Sequence, residues 1–301
     1  MSRAFLVLAS TTCRRTASFR RGAMAGIAVV TLVVMVFAAG VVPAAATPPV
    51  PSRPGVVDSP TWHLRTTLSA GPDTLRFVYG VGGRDQPVMG DWNGDGTATV
   101  GVVRRAPDGV HLQWLLRNTN TGGTTQIGIT YGLAENPSTP SAYDYPIVGD
   151  WDGNGTDTPG LVRVRPGSMT FLLRNSNSSG SANIAFIYGR TGFPVVGDWD
   201  GNGTDTPGVV RDNGLDLGNQ LWFLRNSNTT GPADVWFVYG RGGDFPISGD
   251  WNADGRDTAG VVRFDAASRQ ARWLLRNRNT SGAAQLNFLY GPGDRPVVVW
   301  R

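Results

Sequence analysis

The chain has one cysteine, no lysine and one glutamate among its 301 residues. Each shortage excludes something. Cys13 lies in the first 46 residues, ahead of an apolar run, so it is no lipoprotein anchor, and the remaining chain has no disulfide to hold it. Stability there falls to the core and to any bound ions. Beyond residue 46, without lysine or any basic stretch, the chain offers no cationic track for a phosphate backbone, which argues against nucleic acid as a partner. Acid–base chemistry also has little to draw on. The histidines are His63 and His111, the glutamate is Glu135, and no nucleophile elbow of the form G-x-S-x-G occurs. A glycosidase needs two carboxylates flanking one bond, and most aspartates here fall in repeated loops. A non-catalytic protein is the expectation. Helical periodicity is almost missing, which leaves short β-type runs between turn residues.

The amino-terminal segment reads differently from the rest. Arg3, Arg14, Arg15, Arg20 and Arg21 precede an uncharged apolar run from Gly22 to Val42 that ends in Pro43 and Ala44-Ala45-Ala46. Residues 1–46 are therefore expected to be a secretory signal with an Ala-x-Ala cleavage site, and the protein to be secreted. The run is also about as long as a membrane span. An uncleaved anchor at the cell surface is the alternative, and membrane contact is expected only in that case. The paired arginines evoke a twin-arginine signal, although the residues after them fit it poorly. Five of the 27 basic residues and none of the 23 acidic ones lie in this segment, so the remainder is close to neutral, near −1. Residues 47–53 are proline-rich and read as a short extended linker.

Residues 54–301 repeat. Five units align, at 54–99, 100–158, 159–206, 207–258 and 259–301. Repeats of this length signal a solenoid or a propeller. Each opens with a run such as GVVD at Gly55 or GVVR at Gly101, and continues with an aromatic three residues before an arginine: Trp62/Arg65, Trp114/Arg117, Phe171/Arg174, Trp222/Arg225 and Trp273/Arg276. A turn rich in Asn, Ser, Thr and Gly follows, then an alternating strand ending in Tyr-Gly, then a run such as PVVGDW. Four short strands with turn residues between them describe one antiparallel blade. The expected fold is an all-β propeller of five four-stranded blades. Its chain starts on the second strand of a blade, and Pro296 to Trp300 supplies that blade's missing innermost strand, so the ring closes by pairing the two ends.

Four units carry an acidic loop: GDWNGDGTAT from Gly90, GDWDGNGTDT from Gly149 and from Gly197, and GDWNADGRDT from Gly249. Oxygen side chains at alternate positions before a glycine suit a hard cation such as Ca2+. Asx-rich turns closed by their own hydrogen bonds are the competing reading, since Asn, Asp and Gly are ordinary turn formers. The spacing D-x-[ND]-x-[DN]-G between two short strands of a repeated unit resembles FG-GAP and VCBS-type repeats, the family that includes the integrin alpha-subunit propeller. The resemblance implies a β-propeller with Ca2+ between the first and second strands of a blade, and extracellular recognition or adhesion. By that resemblance the ligands are Asp91, Asn93 and Asp95; Asp150, Asp152 and Asn154; Asp198, Asp200 and Asn202; and Asp250, Asn252 and Asp254. Two departures stand out. Loop position nine is Thr99, Thr158, Thr206 or Thr258 where the family has Asp, with Asp157, Asp205 and Asp257 one place earlier and Ala98 in the first loop. The blade count of five also differs from seven and looks more like small lectin propellers.

The remaining repeated residues read as structure. Trp92, Trp151, Trp199 and Trp251 suit packing between blades better than a sugar platform. Arginine of each Arg-Asn pair suits carbonyls of neighbouring strands, with asparagine opening the turn. A ligand is expected on the face opposite the acidic loops, where connections vary most. Glu135, Tyr143 and Tyr145 in the longest connection are the candidate contacts, a glycan or cell-surface ligand the expected partner, and a monomer the expected state. A hydrolase or lyase, marked by Glu135, Asp144, Asp108 and His111, and a structural envelope protein are the rivals.

Overall fold

A computed structural model describes residues 50–134, 144–212, 218–293 and 297–300. Residues 1–46 with their signal and anchor readings, and the candidate contacts Glu135 and Tyr143, lie outside the described residues. Every regular element among the described residues is a strand, gathered into five four-stranded antiparallel sheets. The five sheets are the blades of a β-propeller.

Blades two to five run in chain order from the inside out. Blade two, for example, is built from Gln86–Gly90, Thr99–Arg105, His111–Leu116 and Ile127–Leu133. Blade one alone joins the two ends of the chain. Its innermost strand is Val297–Trp300, which pairs antiparallel with Arg53–Asp58 in the register Arg53 to Trp300 through Val56 to Val297. Thr61–Leu64 and Leu75–Val78 complete it. The innermost strands of all five blades neighbour one another around the ring. Pairing the ends leaves no open edge on the second strand of blade one, where an unpaired row of amides and carbonyls would invite aggregation. Ser52 and Arg53 belong to this ring, so the linker expected at 47–53 gives up its last two residues.

The strands differ by layer because their burial differs. Second strands such as Thr99–Arg105 lie between blades and are buried on both faces, which is why they read as continuous apolar runs. Their glycine is a packing requirement, since a Cβ on Gly101 would stand 2.6 Å from Leu116. Third strands alternate, and bury Trp62, Trp114, Phe171, Trp222 or Trp273 almost completely. The tryptophans at 62, 114, 222 and 273 donate Nε1–H to the carbonyl of the Tyr-Gly tyrosine at 2.8 to 3.1 Å. Blade three has Phe171 instead and stacks it on Phe186, centroids 5.4 Å apart. One such aromatic per blade gives five small cores around a central channel.

Candidate functional site

The four acidic loops crown one end of the channel, each joining the innermost strand of its blade to the second. Their first aspartate is a local cap. Asp91 accepts N–H bonds from Gly94, Asp95 and Gly96 at 2.7 to 3.1 Å, using both carboxylate oxygens. Asp198 takes the same three amides in its loop, and Asp150 and Asp250 take the last two, again with both oxygens. The fifth residue, Asp95, Asn154, Asn202 or Asp254, accepts from the amide two places on. The third is exposed in three of the loops, and Asn93 and Asn252 donate to the fifth-position carboxylate. Each loop thus holds its shape by hydrogen bonds of its own.

The donor set of each loop is two carboxylates and one carboxamide, all oxygen donors of the kind Ca2+ takes. The chemistry fits that ion, although the first carboxylate already serves backbone amides. Among the described residues no three acidic, histidine or cysteine side chains are grouped to hold a metal. Thr99, Thr158 and Thr258 at position nine donate instead to the carbonyls of Arg117, Arg174 and Arg276 at 2.6 to 2.7 Å. That bond ties the loop end to the third strand.

The aspartate at position eight joins blades. Asp157 accepts the N–H of Asp91 in the preceding blade at 2.7 Å, and its own N–H donates to the Asp91 carbonyl at 2.8 Å. Asp205 grips Asp150 and Asp257 grips Asp198 in the same way. Ser52 grips Asp250 across the closing seam, its hydroxyl accepting at 2.9 Å and its N–H donating at 2.6 Å. Register explains the substitution: Arg53 pairs with Trp300 as Thr99 pairs with Gly90, so Ser52 occupies position eight of blade one. Ala98, which breaks the Asp pattern, faces the one blade whose innermost strand is not followed by the acidic motif. Sequence reasoning missed this clasp. Extending the alignment of the Gly55 and Gly101 runs three residues upstream would have brought Ser52 into register with Ala98.

Trp92, Trp151, Trp199 and Trp251 are buried, and three donate to the carbonyl of the position-nine threonine. Packing is their role. The arginines fold into their own turns: Arg65 donates to the carbonyls of Ser69, Ala70 and Pro72, and Arg174 and Arg276 make the equivalent bonds to Ser181 and Ala283. Arg117, Arg174 and Arg276 also lie over Tyr79, Tyr131 and Tyr239 of the preceding blade at 5.6 to 5.7 Å. Burial pushes the phenols of Tyr131, Tyr188 and Tyr239 up to about 12.

The opposite end of the channel is built from the starts of the innermost strands. Tyr145, Phe193 and Phe245 share one register there, facing Val162, Val210 and Val262. Phe193 and Phe245 are 47% and 43% exposed and meet edge to face at 6.5 Å. Tyr145 is partly buried against the core of blade three. The cavity between the two ends measures about 580 Å³ and reaches from the acidic loops to Phe245. Just before this register, Asp144 and Asp244 are buried and pair with Arg163 and Arg263 at 2.6 to 2.8 Å. Asp144 is thereby an anchor for its connection. His63 is bonded to Asp73 and His111 to Asp108, each at 2.7 Å. The amides of His111 and Val110, with the His111 ring, hold the Asp108 carboxyl down at about 2. Asp144 and the pair Asp108 and His111 thus each sit in a separate ion pair or turn.

Comparison with protein-family models, curated proteins and solved structures gives no significant match. The propeller architecture rests on the strand topology alone.

Proposed function

We propose that this chain is an exported, non-catalytic binding propeller of the FG-GAP and VCBS-type repeat class, which recognises a glycan or another cell-surface ligand. The exposed Phe193 and Phe245 at the channel mouth carry this reading. Two part-exposed aromatic rings in contact with each other at the mouth of a cavity form a contiguous apolar patch of the kind that interaction sites use, and aromatic faces suit the C–H faces of sugar rings. They stand on the face where connections vary, away from the self-closed loops. Export rests on the charge and apolar pattern of residues 1–46. The test is glycan-array binding by the protein and by its Phe193→Ala/Phe245→Ala variant, with and without EDTA. Loss of binding at an unchanged melting temperature supports the reading. Full retention in the double variant removes the channel mouth from it.

Calcium is the second element of the proposal. The oxygens of the first, third and fifth loop residues would hold it, and a cation bound by the folded state alone adds about 2.7 kcal/mol per site at a hundredfold excess over Kd. Asp198 is nearly buried whereas Asp91 is half-buried. Asp198→Ala should therefore lower the melting temperature in millimolar Ca2+ more than Asp91→Ala. An unchanged melting curve on adding EDTA would leave the loops as Asx turns only.

A further inference from the structure

The connections into the innermost strands carry one device three times. The residue ahead of the strand is Asp85, Asp144 or Asp244, and its carboxylate takes the guanidinium opposite it in register, Arg104, Arg163 or Arg263, at 2.6 to 2.8 Å. The same carboxylate accepts the N–H of Val81, Leu133 or Arg241, the second residue after each Tyr-Gly tyrosine, at 2.6 to 2.8 Å. One aspartate thus collects two donors.

Blade four keeps the arginine and drops the aspartate. Gly192 stands ahead of Phe193, opposite Arg211, and a Cβ there would collide with the Val210 carbonyl, so this connection can offer no side chain at that point. Among the described residues Arg211 makes no ion pair or hydrogen bond, and the N–H of Arg190, at the position of Val81, Leu133 and Arg241, has no acceptor. What Arg211 does have is a ring. Its guanidinium lies 4.8 Å above Phe223, where blades two, three and five have Leu115, Leu172 and Leu274. A ring under the flat face fixes the plane of the cation and leaves its edge N–H groups unused. Directly across from Phe223, on the same sheet face, is Trp236, where those blades have Gly128, Ala185 and Asn287. Trp236 is 68% exposed, while the other tryptophans are all buried.

We infer that the seam between blades three and four binds a ligand carboxylate joined to a flat ring, with Arg211 as its ion partner and Trp236 beside the ring. Arg211 is partly buried and its Nε is out of reach, so the terminal Nη groups are the donors. Two such N–H groups meet the two oxygens of a carboxylate side by side. A carboxylate is chosen because blades two, three and five fill this position with one. The ring is chosen because an indole left in water gains most from a flat apolar partner. The inference does not rest on the glycan reading and uses no residue of the channel mouth.

Titration of the protein with benzoate tests it, read by ligand-observed NMR and by acrylamide quenching of tryptophan fluorescence, with acetate, benzyl alcohol and inorganic phosphate as controls. Benzoate should bind with a Kd on the order of 10 mM and shield the exposed tryptophan from acrylamide. Acetate and benzyl alcohol, each lacking one half of the ligand, should bind at least about threefold more weakly. Arg211→Gln should weaken benzoate by about tenfold or more, and Trp236→Ala by about threefold with acetate unchanged. An aspartate inserted between Gly192 and Phe193 restores the Gly-Asp-Phe ending found at Gly243, Asp244 and Phe245. It should pair with Arg211, raise the melting temperature and abolish benzoate binding, and it decides the same point should Arg211→Gln fail to fold. No benzoate binding, or binding that survives Arg211→Gln or the inserted aspartate, overturns the inference and leaves Arg211 and Phe223 as a structural stack. Phosphate bound as tightly as benzoate overturns the choice of carboxylate.

Discussion

The seam that closes the ring and the seams inside it use one geometry with different chemistry. At the seams from blade two to five, Asp157, Asp205 and Asp257 accept an amide of the preceding loop at 2.7 to 3.0 Å. At the closing seam Ser52 accepts at 2.9 Å, from a residue 198 positions away in sequence. The reciprocal main-chain bond is common to all four. Geometry is therefore fixed by the backbone, and the side-chain acceptor can be a carboxylate or a hydroxyl. The ring is thus closed at two places, by strand pairing inside blade one and by the Ser52 clasp from blade one to blade five.

Removing the strand should have the largest effect. Deleting residues 295–301 strips blade one of Val297–Trp300 and exposes the edge of Arg53–Asp58. Trp300 goes too, with its Nε1 bond to the Pro54 carbonyl and the Arg53 guanidinium over its ring at 5.1 Å. The truncated chain should aggregate or become protease-sensitive. A monomer that resists limited proteolysis would show that the seam is dispensable.

Alkali attacks the internal seams together. Tyr131, Tyr188 and Tyr239 face the next blade, and burial raises each from 10.0 to about 12. The fold favours the neutral phenol, so this contribution is full below pH 10 and is lost as pH rises through about 12. Denaturant midpoints should hold to pH 10 and fall above it, in step with phenolate absorbance. Phenols that titrate near 10 without loss of stability would remove burial as the cause.

How much of this was legible depends on sequence distance. Five repeats, four strands each and pairing of the ends follow from local periodicity and a strand count, and the structure has all three. Packing of Trp92 and its counterparts was legible because one tryptophan per unit at one register is what stacked blades require. The clasp was not, because Asp157 and Asp91 meet across 66 residues and nothing in either loop announces the other. Asp157, Asp205 and Asp257 were read only as a displaced ligand position. Phe193 and Phe245 were legible as residues but not as exposed ones, since the same register holds Gln86 in blade two.

Single clasp substitutions should rank below both. Asp205→Ala leaves the half-buried Asp150 amide without its acceptor, at a cost of about 1–3 kcal/mol. Ser52→Ala should cost about 1 kcal/mol, in line with a neutral hydrogen bond. Chemical denaturation of both variants checks the order. A larger loss from Ser52→Ala would reverse the comparison and make the closing clasp the stronger one.

The smallest effect should be a gain, at the loop gripped by Ser52. Ala253 has φ of +58°, where the other three loops have Gly94, Gly153 and Gly201 at +70° to +75°. A left-handed conformation costs a Cβ-bearing residue roughly 1–2 kcal/mol, while glycine returns part of that through the entropy it loses on folding. Ala253→Gly should therefore stabilise the protein by about 0.5 kcal/mol, raising the denaturant midpoint without changing the slope. At Gly201 the reverse change should cost more, because its Cβ would stand 3.0 Å from the Arg256 side chain as well as in the left-handed region. If Ala253→Gly is neutral and Gly201→Ala equally so, loop backbone strain does not separate the closing seam from the internal ones, and the clasp acceptor alone carries the difference.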